Sequence, residues 1–443
     1  MSHPSLAPTL SLILAMSMGF HSSASAAEPA AVVAASTPAF KITPADDAWR
    51  AALPRDAEFA TQAYLARLPA ESVAKSDAYY EGTYWLQLWD LLLGLAVATV
   101  MMSGRRAARV RDWAQSKVRK PLLRDALFAA VYTLSAWVLT LPLTIYAGFV
   151  REHAYGMATQ NLAAWFGEQL VALAVNLLIS TAVIGLLYAL IRRAGVRWWI
   201  WGTAFGISVM IVFIALSPIY IEPLFNTYKP LEDGPIKAAV LKMAHANGVP
   251  ADNVYEFNAS KQTTRASANV AGLWGSAAVR LNDNLLRRAS EAEIRAVMAH
   301  ELGHYVLNHV VKILTALTLI LLLAFYFAQW MMRWLLSRTA FLTGVSCVDD
   351  VASLPLLAAV FSIFFALCTP LQNTLIRTHE AEADQFGLNL SREPHGFAEG
   401  QLKLVEYRKA DPGPLEEIVF FNHPSTRKRI YAAMRWREAM GTP

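Results

Sequence analysis

The sequence has 443 residues, of which 55% are hydrophobic and only 16% are charged, whereas soluble domains contain about 25% charged residues. This composition excludes an ordinary soluble protein and indicates a chain that lies largely in lipid. The net charge of +5 does not indicate a nucleic-acid partner, because the basic residues concentrate in short loops beside apolar stretches, where they set membrane orientation.

Residues 1–26 contain a short apolar run followed by small residues that end in Ala24-Ser25-Ala26. This is the pattern of a secretory signal peptide with its cleavage site. An uncleaved first membrane helix explains the same pattern, and both interpretations remain open. The next stretch, 27–82, begins as an Ala- and Pro-rich linker and continues as an amphipathic N-terminal region.

Several apolar stretches are each long enough to cross a bilayer, which takes about 20 residues of helix. The six stretches are 83–102, 125–148, 163–191, 198–219, 310–333 and 350–371. They predict a four-helix membrane region at 83–219 and a membrane helical hairpin at 310–371. Two polar regions, 220–309 and 372–443, remain for water-facing chemistry, so a soluble domain must be assembled from these two pieces.

The loop charges predict which way the chain is inserted. Loop 103–124 carries eight Lys and Arg residues, whereas the loop around 149–162 carries only Arg151. The positive-inside rule places the first loop in the cytoplasm. Because spans alternate in direction, both polar regions then lie on the outer face, and the cell (inner) membrane is the expected location.

The first polar region begins with a predicted helix around 233–248. Short apolar-alternating runs between turn residues then predict strands at 254–257, 268–273 and 277–281. Ser290 caps a further helix, and Glu293 completes a capping box three residues later.

That capped helix contains His300-Glu301-Leu302-Gly303-His304, an HExxH pattern. On a helix, the four-residue spacing places both imidazoles on one face about 6 Å apart, which suits one tetrahedral metal ion. Glu301 can then act as general base toward a metal-activated water that attacks a peptide carbonyl. Two exposed histidines on a surface helix are the alternative, which the apolar neighbours and the following membrane span disfavour.

A third ligand must come from elsewhere, because the residues after His304 depart from the metzincin pattern. In the second polar region Glu380 and Asp384 lie one helical turn apart. Glu380 can therefore bind the metal while Asp384 orients a ligating imidazole. Glu382 lacks a similar partner, and a solvated acidic helix face is the alternative for the whole cluster.

From about residue 80 to 435 the chain resembles the integral-membrane CAAX prenyl protease type I zinc peptidases, relatives of the membrane heat-shock zinc peptidases. Five motifs carry the resemblance: FVREHAYG at 149–156, IEPLFNTYKPLEDG at 221–234, HELGHYVLNH at 300–309, EAEAD at 380–384 and NHPS at 422–425. The resemblance implies a mainly α fold. In it, a polytopic membrane helical bundle encloses a chamber and carries a small α+β thermolysin-like zinc peptidase domain.

The same resemblance implies one zinc ion per chain, with Glu380 as the third ligand beside the two histidines. It also implies that His423 stabilises the oxyanion of the reaction intermediate and that Arg429 helps to arrange the site. A turn residue before Pro424 is the alternative for His423.

Substrate would add as a strand along Ser267-Ala268-Asn269-Val270 in this family, a mode that relies on backbone hydrogen bonds. The chain departs from the family pattern of Ser-Asn-Ala-aromatic there, so substrate preference does not carry over. It departs again just before Glu380, where His379 replaces the usual aromatic residue and is a competing candidate ligand.

The sequence therefore predicts a membrane-embedded zinc metalloendopeptidase acting on peptide or membrane-anchored protein substrates. A polytopic transporter or chaperone with a structural zinc site is the alternative, but structural sites usually have four protein ligands. Eukaryotic members of the family face their zinc to the cytosol, whereas the loop charges here place it outside. Cys347 and Cys368 lack metal-ligand spacing and are not expected to take part.

Overall fold

The computed structural model describes residues 42–271 and 277–441, so the predicted signal peptide or first helix at 1–26 lies outside the described residues. In chain order the α-helices are α1 (Asp47–Ala51), α2 (Ala57–Leu65), α3 (Ala70–Met102), α4 (Arg106–Lys117), α5 (Pro121–Ile145), α6 (Arg151–Ala154), α7 (Leu162–Ala194), α8 (Trp198–Leu216), α9 (Pro235–Ala246), α10 (Asp283–Arg288), α11 (Glu291–Val306), α12 (His309–Thr343), α13 (Leu354–Ser391), α14 (Pro394–Leu404), α15 (Pro414–Phe420) and α16 (Thr426–Met440). The strands are β1 (Tyr228–Pro230), β2 (Ala251–Phe257), β3 (Ala268–Ala271) and β4 (Ala277–Asn282).

Five continuous helical segments of the described chain are long and apolar enough to cross a membrane. They are Ala70–Lys117, Pro121–Ala154, Leu162–Leu224, His309–Thr343 and Val351–Ser391. The sequence predicted six spans, and the difference lies in the third segment, which contains both α7 and α8. A 3₁₀ turn at Gly195–Arg197 separates these two helices, and Gly195 adopts a φ of 54°, which glycine tolerates best.

The basic loops meet at one end of the helical bundle. Asp125 is fully buried and pairs with Arg124 and Arg192 at 2.7 and 2.6 Å. Arg111 pairs with Asp350 at the same end. These pairs neutralise carboxylates that have little solvent exposure, and a buried carboxylate without an opposite charge would destabilise the fold. They lie at the far end of α12, a 35-residue helix that is about 50 Å long.

The polar regions form the predicted α+β domain around a four-stranded sheet of order β1-β2-β4-β3. β2 and β4 run parallel, and the two outer pairs run antiparallel. The predicted helix at 233–248 and the predicted strands at 254–257 and 277–281 are confirmed. The strand predicted at 268–273 is confirmed as far as Ala271, and residues 272–273 lie outside the described residues.

A third piece of chain joins this domain, so the prediction of a two-piece assembly is wrong. Helix α2 packs against α16, and fully buried Tyr64 belongs to the same apolar cluster as Ile430 and Met434. The Tyr64 hydroxyl lies 2.6 Å from Nδ1 of His395. The cause is a short apolar stripe on α2, in which Ala57, Ala60 and Tyr64 recur at helical spacing and need a partner surface.

Two glycines let α11 and α13 cross at close range. A Cβ at Gly387 would lie 2.9 Å from the backbone nitrogen of His300 and 3.0 Å from its Cα. A Cβ at Gly303 would lie 3.1 Å from Phe386 and 3.3 Å from Cα of Ala383. The absence of these Cβ atoms brings two sequence motifs that are distant along the chain into contact.

We expect Gly387→Ala to lower the free energy of unfolding by roughly 1–3 kcal/mol, because the new methyl group meets backbone atoms that cannot rotate away. Gly400→Ala is the matched helical control. Its Cβ would meet no atom of the described residues within 4 Å, so the substitution should stabilise the protein by about 0.5–1 kcal/mol. Denaturant unfolding of the detergent-solubilised protein measures both, and equal responses would contradict the close crossing.

Candidate metal centre

Three side chains from two helices converge at the crossing of α11 and α13. The Nε2 atoms of His300 and His304 are 3.2 Å apart. Glu380 lies with Oε2 3.3 Å from Nε2 of His300 and Oε1 3.5 Å from Nε2 of His304. Ligand atoms bound at about 2.0–2.1 Å to one tetrahedral ion lie about 3.3 Å from each other. The triangle therefore has the dimensions of a mononuclear zinc site.

The burial of the three ligands also favours a bound cation. Glu380 is only 7% exposed, and its Oε2 lies 3.3 Å from Nε2 of His300 and 3.2 Å from Nε2 of His423. A buried carboxylate without a compensating charge is costly. A cation held between this oxygen and the two imidazole nitrogens would remove that cost, and the remaining side of the triangle would stay open for a further ligand.

A buried network behind His300 fixes the orientation of its ring. Nδ1 of His300 lies 2.8 Å from Oδ1 of Asp384. Arg429 donates to both oxygens of Asp384, with Nε at 2.8 Å from Oδ2. The three residues are between 2% and 3% exposed. Because Asp384 holds the hydrogen on Nδ1, Nε2 faces Glu380 and is the nitrogen that can bind an ion once its own proton is displaced.

The two histidines differ in their affinity for protons. Burial lowers the pKa of His300, but the carboxylates of Asp384 and Glu380 outweigh it and raise the pKa to about 9. Burial and the neighbouring His300 lower the pKa of His304 to about 4. An ion must therefore displace a proton from His300 at neutral pH, so acid opposes metal binding.

Glu301 faces a cleft beside the triangle. Together with His300 it lines about 780 Å³ of open space, bounded on other sides by Ser267 and Ala268 and by helix α14. Burial raises the pKa of the Glu301 carboxyl, which brings it closer to the range in which a general base works best. The cleft thus joins the predicted base to part of the predicted substrate edge.

His423 approaches the triangle from the loop before α16, with Nε2 3.2 Å from Oε2 of Glu380. Its Nδ1 lies 2.7 Å from Oδ1 of Asn422. Burial and nearby Arg408 hold the pKa of His423 well below its usual range, so the imidazole is neutral at pH 7. Its position at the site supports a role beyond that of a turn residue.

The predicted substrate residues follow the outer edge of the sheet. β3 pairs with β4 alone among the described strands, with Asn269 opposite Arg280 and Val270 opposite Val279. The backbone nitrogen of Asn282 donates to the carbonyl of Ser267 at 2.9 Å. β3 is therefore an edge strand with one side unpaired in the described part of the chain.

The structure places His379 outside the triangle. Its ring stacks on that of His309 with centroids 4.8 Å apart, and its Nδ1 lies 3.8 Å from Glu382. His309 in turn approaches His304, with the two Nδ1 atoms 2.8 Å apart. Sequence reasoning missed the roles of His309 and Asn422 as neighbours of site residues, although both lie within the motifs that it singled out.

Comparisons with known proteins cover most of the chain. The model of peptidase family M48 matches residues 230–437, and a model described as the CAAX prenyl protease N-terminal region with five membrane helices matches residues 54–227. CAAX prenyl protease 1 of Saccharomyces cerevisiae is 28% identical over 73% of this chain and 74% of its own length. The uncharacterized metalloprotease YhfN of Bacillus subtilis is 29% identical over 79% of this chain and 81% of its own length.

The crystal structure of Ste24p from S. mikatae has the same fold. Its TM-score is 0.69 at 21% identity, over 83% of this chain and 89% of that one. The expected fold class, a membrane helical bundle that encloses a chamber and carries a small α+β peptidase domain, is therefore confirmed. With its membrane helices matched by one family model and its HExxH and ExxxD helices by the other, the chain belongs to the CAAX prenyl protease type I group of peptidase family M48 and is a membrane metalloprotease.

Proposed function

We propose that the protein is a zinc endopeptidase that admits a peptide or membrane-anchored protein and cleaves it in the cleft beside His300. The observation that carries this proposal is the triangle of His300, His304 and Glu380, with sides of 3.2 to 3.5 Å. Its three protein ligands leave a position open beside Glu301. A structural zinc site would usually be closed by a fourth protein ligand.

Zinc held by the triangle would act as a Lewis acid that lowers the pKa of water toward about 7. Glu301 takes the proton from the attacking water and later transfers it to the nitrogen of the leaving amine. Asp384 and Arg429 act as positioning residues, because they reach the reaction only through the ring of His300. Removing one member of this buried network would leave an uncompensated charge.

His423 would donate a hydrogen bond from Nε2 to the carbonyl oxygen as negative charge develops on it. This role requires the hydrogen to sit on Nε2. The adjacent amide of Asn422 can enforce that tautomer by presenting its NH₂ group to Nδ1, the reverse of the orientation in which Oδ1 faces the ring. Asn422 is thus a positioning residue for His423.

The substrate would extend β3 as an added strand. Because the backbone of Ser267 pairs with that of Asn282, strand alternation directs the backbone groups of Ala268 and Val270 away from β4. Within the described part of the chain no strand pairs with these groups, so a peptide of almost any sequence could do so. Several relatives are named CAAX prenyl proteases, so peptides with a prenylated C-terminal cysteine belong in the substrate panel.

We further propose that the site lies on the outer face of the cell membrane. The loops rich in Lys and Arg share the bundle end opposite the triangle, as the pairs of Asp125 with Arg124 and Arg192 support. The positive-inside rule assigns that end to the cytoplasm. The natural substrates would then be exported or outer-face proteins.

Metal analysis tests the ligand set. After dialysis against a weak chelator, the wild-type protein should retain about one zinc per chain. His300→Ala and Glu380→Ala should each lose it, whereas Asp384→Asn should keep it with an affinity reduced about 10–100-fold. Full zinc retention by both alanine variants would show that the ligands lie elsewhere.

Substitution of the base tests the chemistry. Glu301→Gln keeps the size of the side chain but cannot accept the proton, so turnover should fall at least about 10²-fold while zinc content stays at the wild-type level. Mass spectrometry of a peptide library, with and without prenylated members, reports the cleavage sites. Undiminished cleavage by this variant would exclude Glu301 as the base.

Thiol labelling tests the orientation. In a variant lacking Cys347 and Cys368, single cysteines are introduced at exposed Asp252 and at exposed Ser116. A membrane-impermeant thiol reagent applied to intact cells should label the first and not the second. The opposite pattern would place the site in the cytosol and redirect the search to cytosolic or inner-face substrates.

A further inference from the structure

A second group of potential metal ligands lies beside the first. It consists of His309 at the start of α12 and of His379 and Glu382 on α13, whose ligand atoms all lie within 4.8 Å of one another. Nε2 of His309 is 3.1 Å from Oε2 of Glu382. Nδ1 of His379 is 3.8 Å from the same oxygen. Two imidazoles and one carboxylate repeat the donor types of the catalytic triangle.

One histidine of this group has an unsatisfied nitrogen. His309 is 1% exposed, and the buried Nδ1 of His379 has no hydrogen-bond partner among the residues that the structure describes. Such orphaned buried nitrogens are uncommon in folded proteins. The Glu382 side chain is 42% exposed, so an ion can enter from solvent at this side.

We propose that His309, His379 and Glu382 form a second site for a divalent transition metal, and that its occupation opposes metal binding by His304. Imidazole nitrogens favour Zn²⁺, Ni²⁺ and Cu²⁺ over Mg²⁺ and Ca²⁺. The site is weaker than the catalytic triangle, because His379 must move closer to Glu382 before the three donors fit one ion.

Lys312 lowers the affinity of this site further. Its Nζ lies 2.7 Å from Oε2 of Glu382, and its side chain is 45% exposed. The flexible ammonium group can move into solvent when an ion arrives, at the cost of one weak surface ion pair. Lys312→Gln should therefore bind the second ion more tightly than the wild-type protein.

A single hydrogen bond links the two sites. The Nδ1 atoms of His304 and His309 are 2.8 Å apart, so only one hydrogen can lie between them. When Nε2 of His304 binds metal, the hydrogen of this ring sits on Nδ1 and is donated to His309, whose own hydrogen sits on Nε2 and is donated to Glu382.

A metal ion on Nε2 of His309 reverses the direction of the hydrogen bond between His309 and His304. The hydrogen of His309 then sits on Nδ1 and is donated to His304, which must carry its own hydrogen on Nε2. A ring nitrogen that carries hydrogen has no lone pair for an ion. Metal at the second site therefore weakens the hold of His304 on the catalytic metal, and excess metal becomes an inhibitor of the enzyme.

His379 offers a matched control, because His379→Phe keeps an aromatic ring stacked on His309 but removes the ligand. Metal-free protein is titrated with Zn²⁺, and bound zinc per chain is measured after equilibrium dialysis. Wild-type protein should approach two ions, and His379→Phe should stop at one. His300→Ala should keep only the second ion, and His300→Ala combined with His379→Phe should keep neither.

The outcomes separate the two proposals. Equal saturation of wild type and His379→Phe would overturn the second site. A wild-type protein that binds the second ion but not the first would count against the proposed function.

Peptide cleavage then tests the coupling between the two sites. His379→Phe should match the wild type at low zinc and resist inhibition up to at least about tenfold higher zinc, and Lys312→Gln should be inhibited at lower zinc. Identical inhibition curves for wild type and His379→Phe would overturn the coupling.

Discussion

The architecture of the site depends on the buried contact among His300, Asp384 and Arg429. These residues come from α11, α13 and α16, so one network joins three separate parts of the chain. A carboxylate and a guanidinium with almost no exposure must pair with each other, and loss of one partner from such a pair typically costs 3–5 kcal/mol. The same pairing turns Nε2 of His300 toward Glu380 and thereby gives the triangle its size.

The membrane helices hold the residues of this site in position. α13 begins in the apolar bundle and continues without a break to Glu380 and Asp384, while α12 begins at His309 beside the site. Both helices are held at their far ends, where Arg105 donates to the carbonyl of Phe341 and Arg111 pairs with Asp350. A metal ligand on such a helix has little freedom to move, as a preorganised site requires.

Local patterns predicted the parts of the structure that local forces determine. The HExxH spacing, the capping box at Ser290 and Glu293, and the alternating strands each follow from short-range geometry, and each appears in the fold. The spacing of Glu380 and Asp384 likewise predicted which carboxylate meets the triangle. Short helix α2 was missed, because its nine residues bury an apolar stripe only against a surface made by distant α16. The contacts of His309 with His304 and of Asn422 with His423 arise from packing that no single segment encodes.

The most direct test of the open catalytic zinc site is to locate the metal itself by anomalous diffraction at the zinc absorption edge, with crystals of the protein grown at one zinc per chain. We expect a single strong peak about 2.0–2.1 Å from Nε2 of His300, Nε2 of His304 and the carboxylate of Glu380. A peak between His309, His379 and Glu382 with none at the triangle, or a triangle closed by a fourth protein ligand, would contradict the assignment of His300, His304 and Glu380 as an open catalytic zinc site.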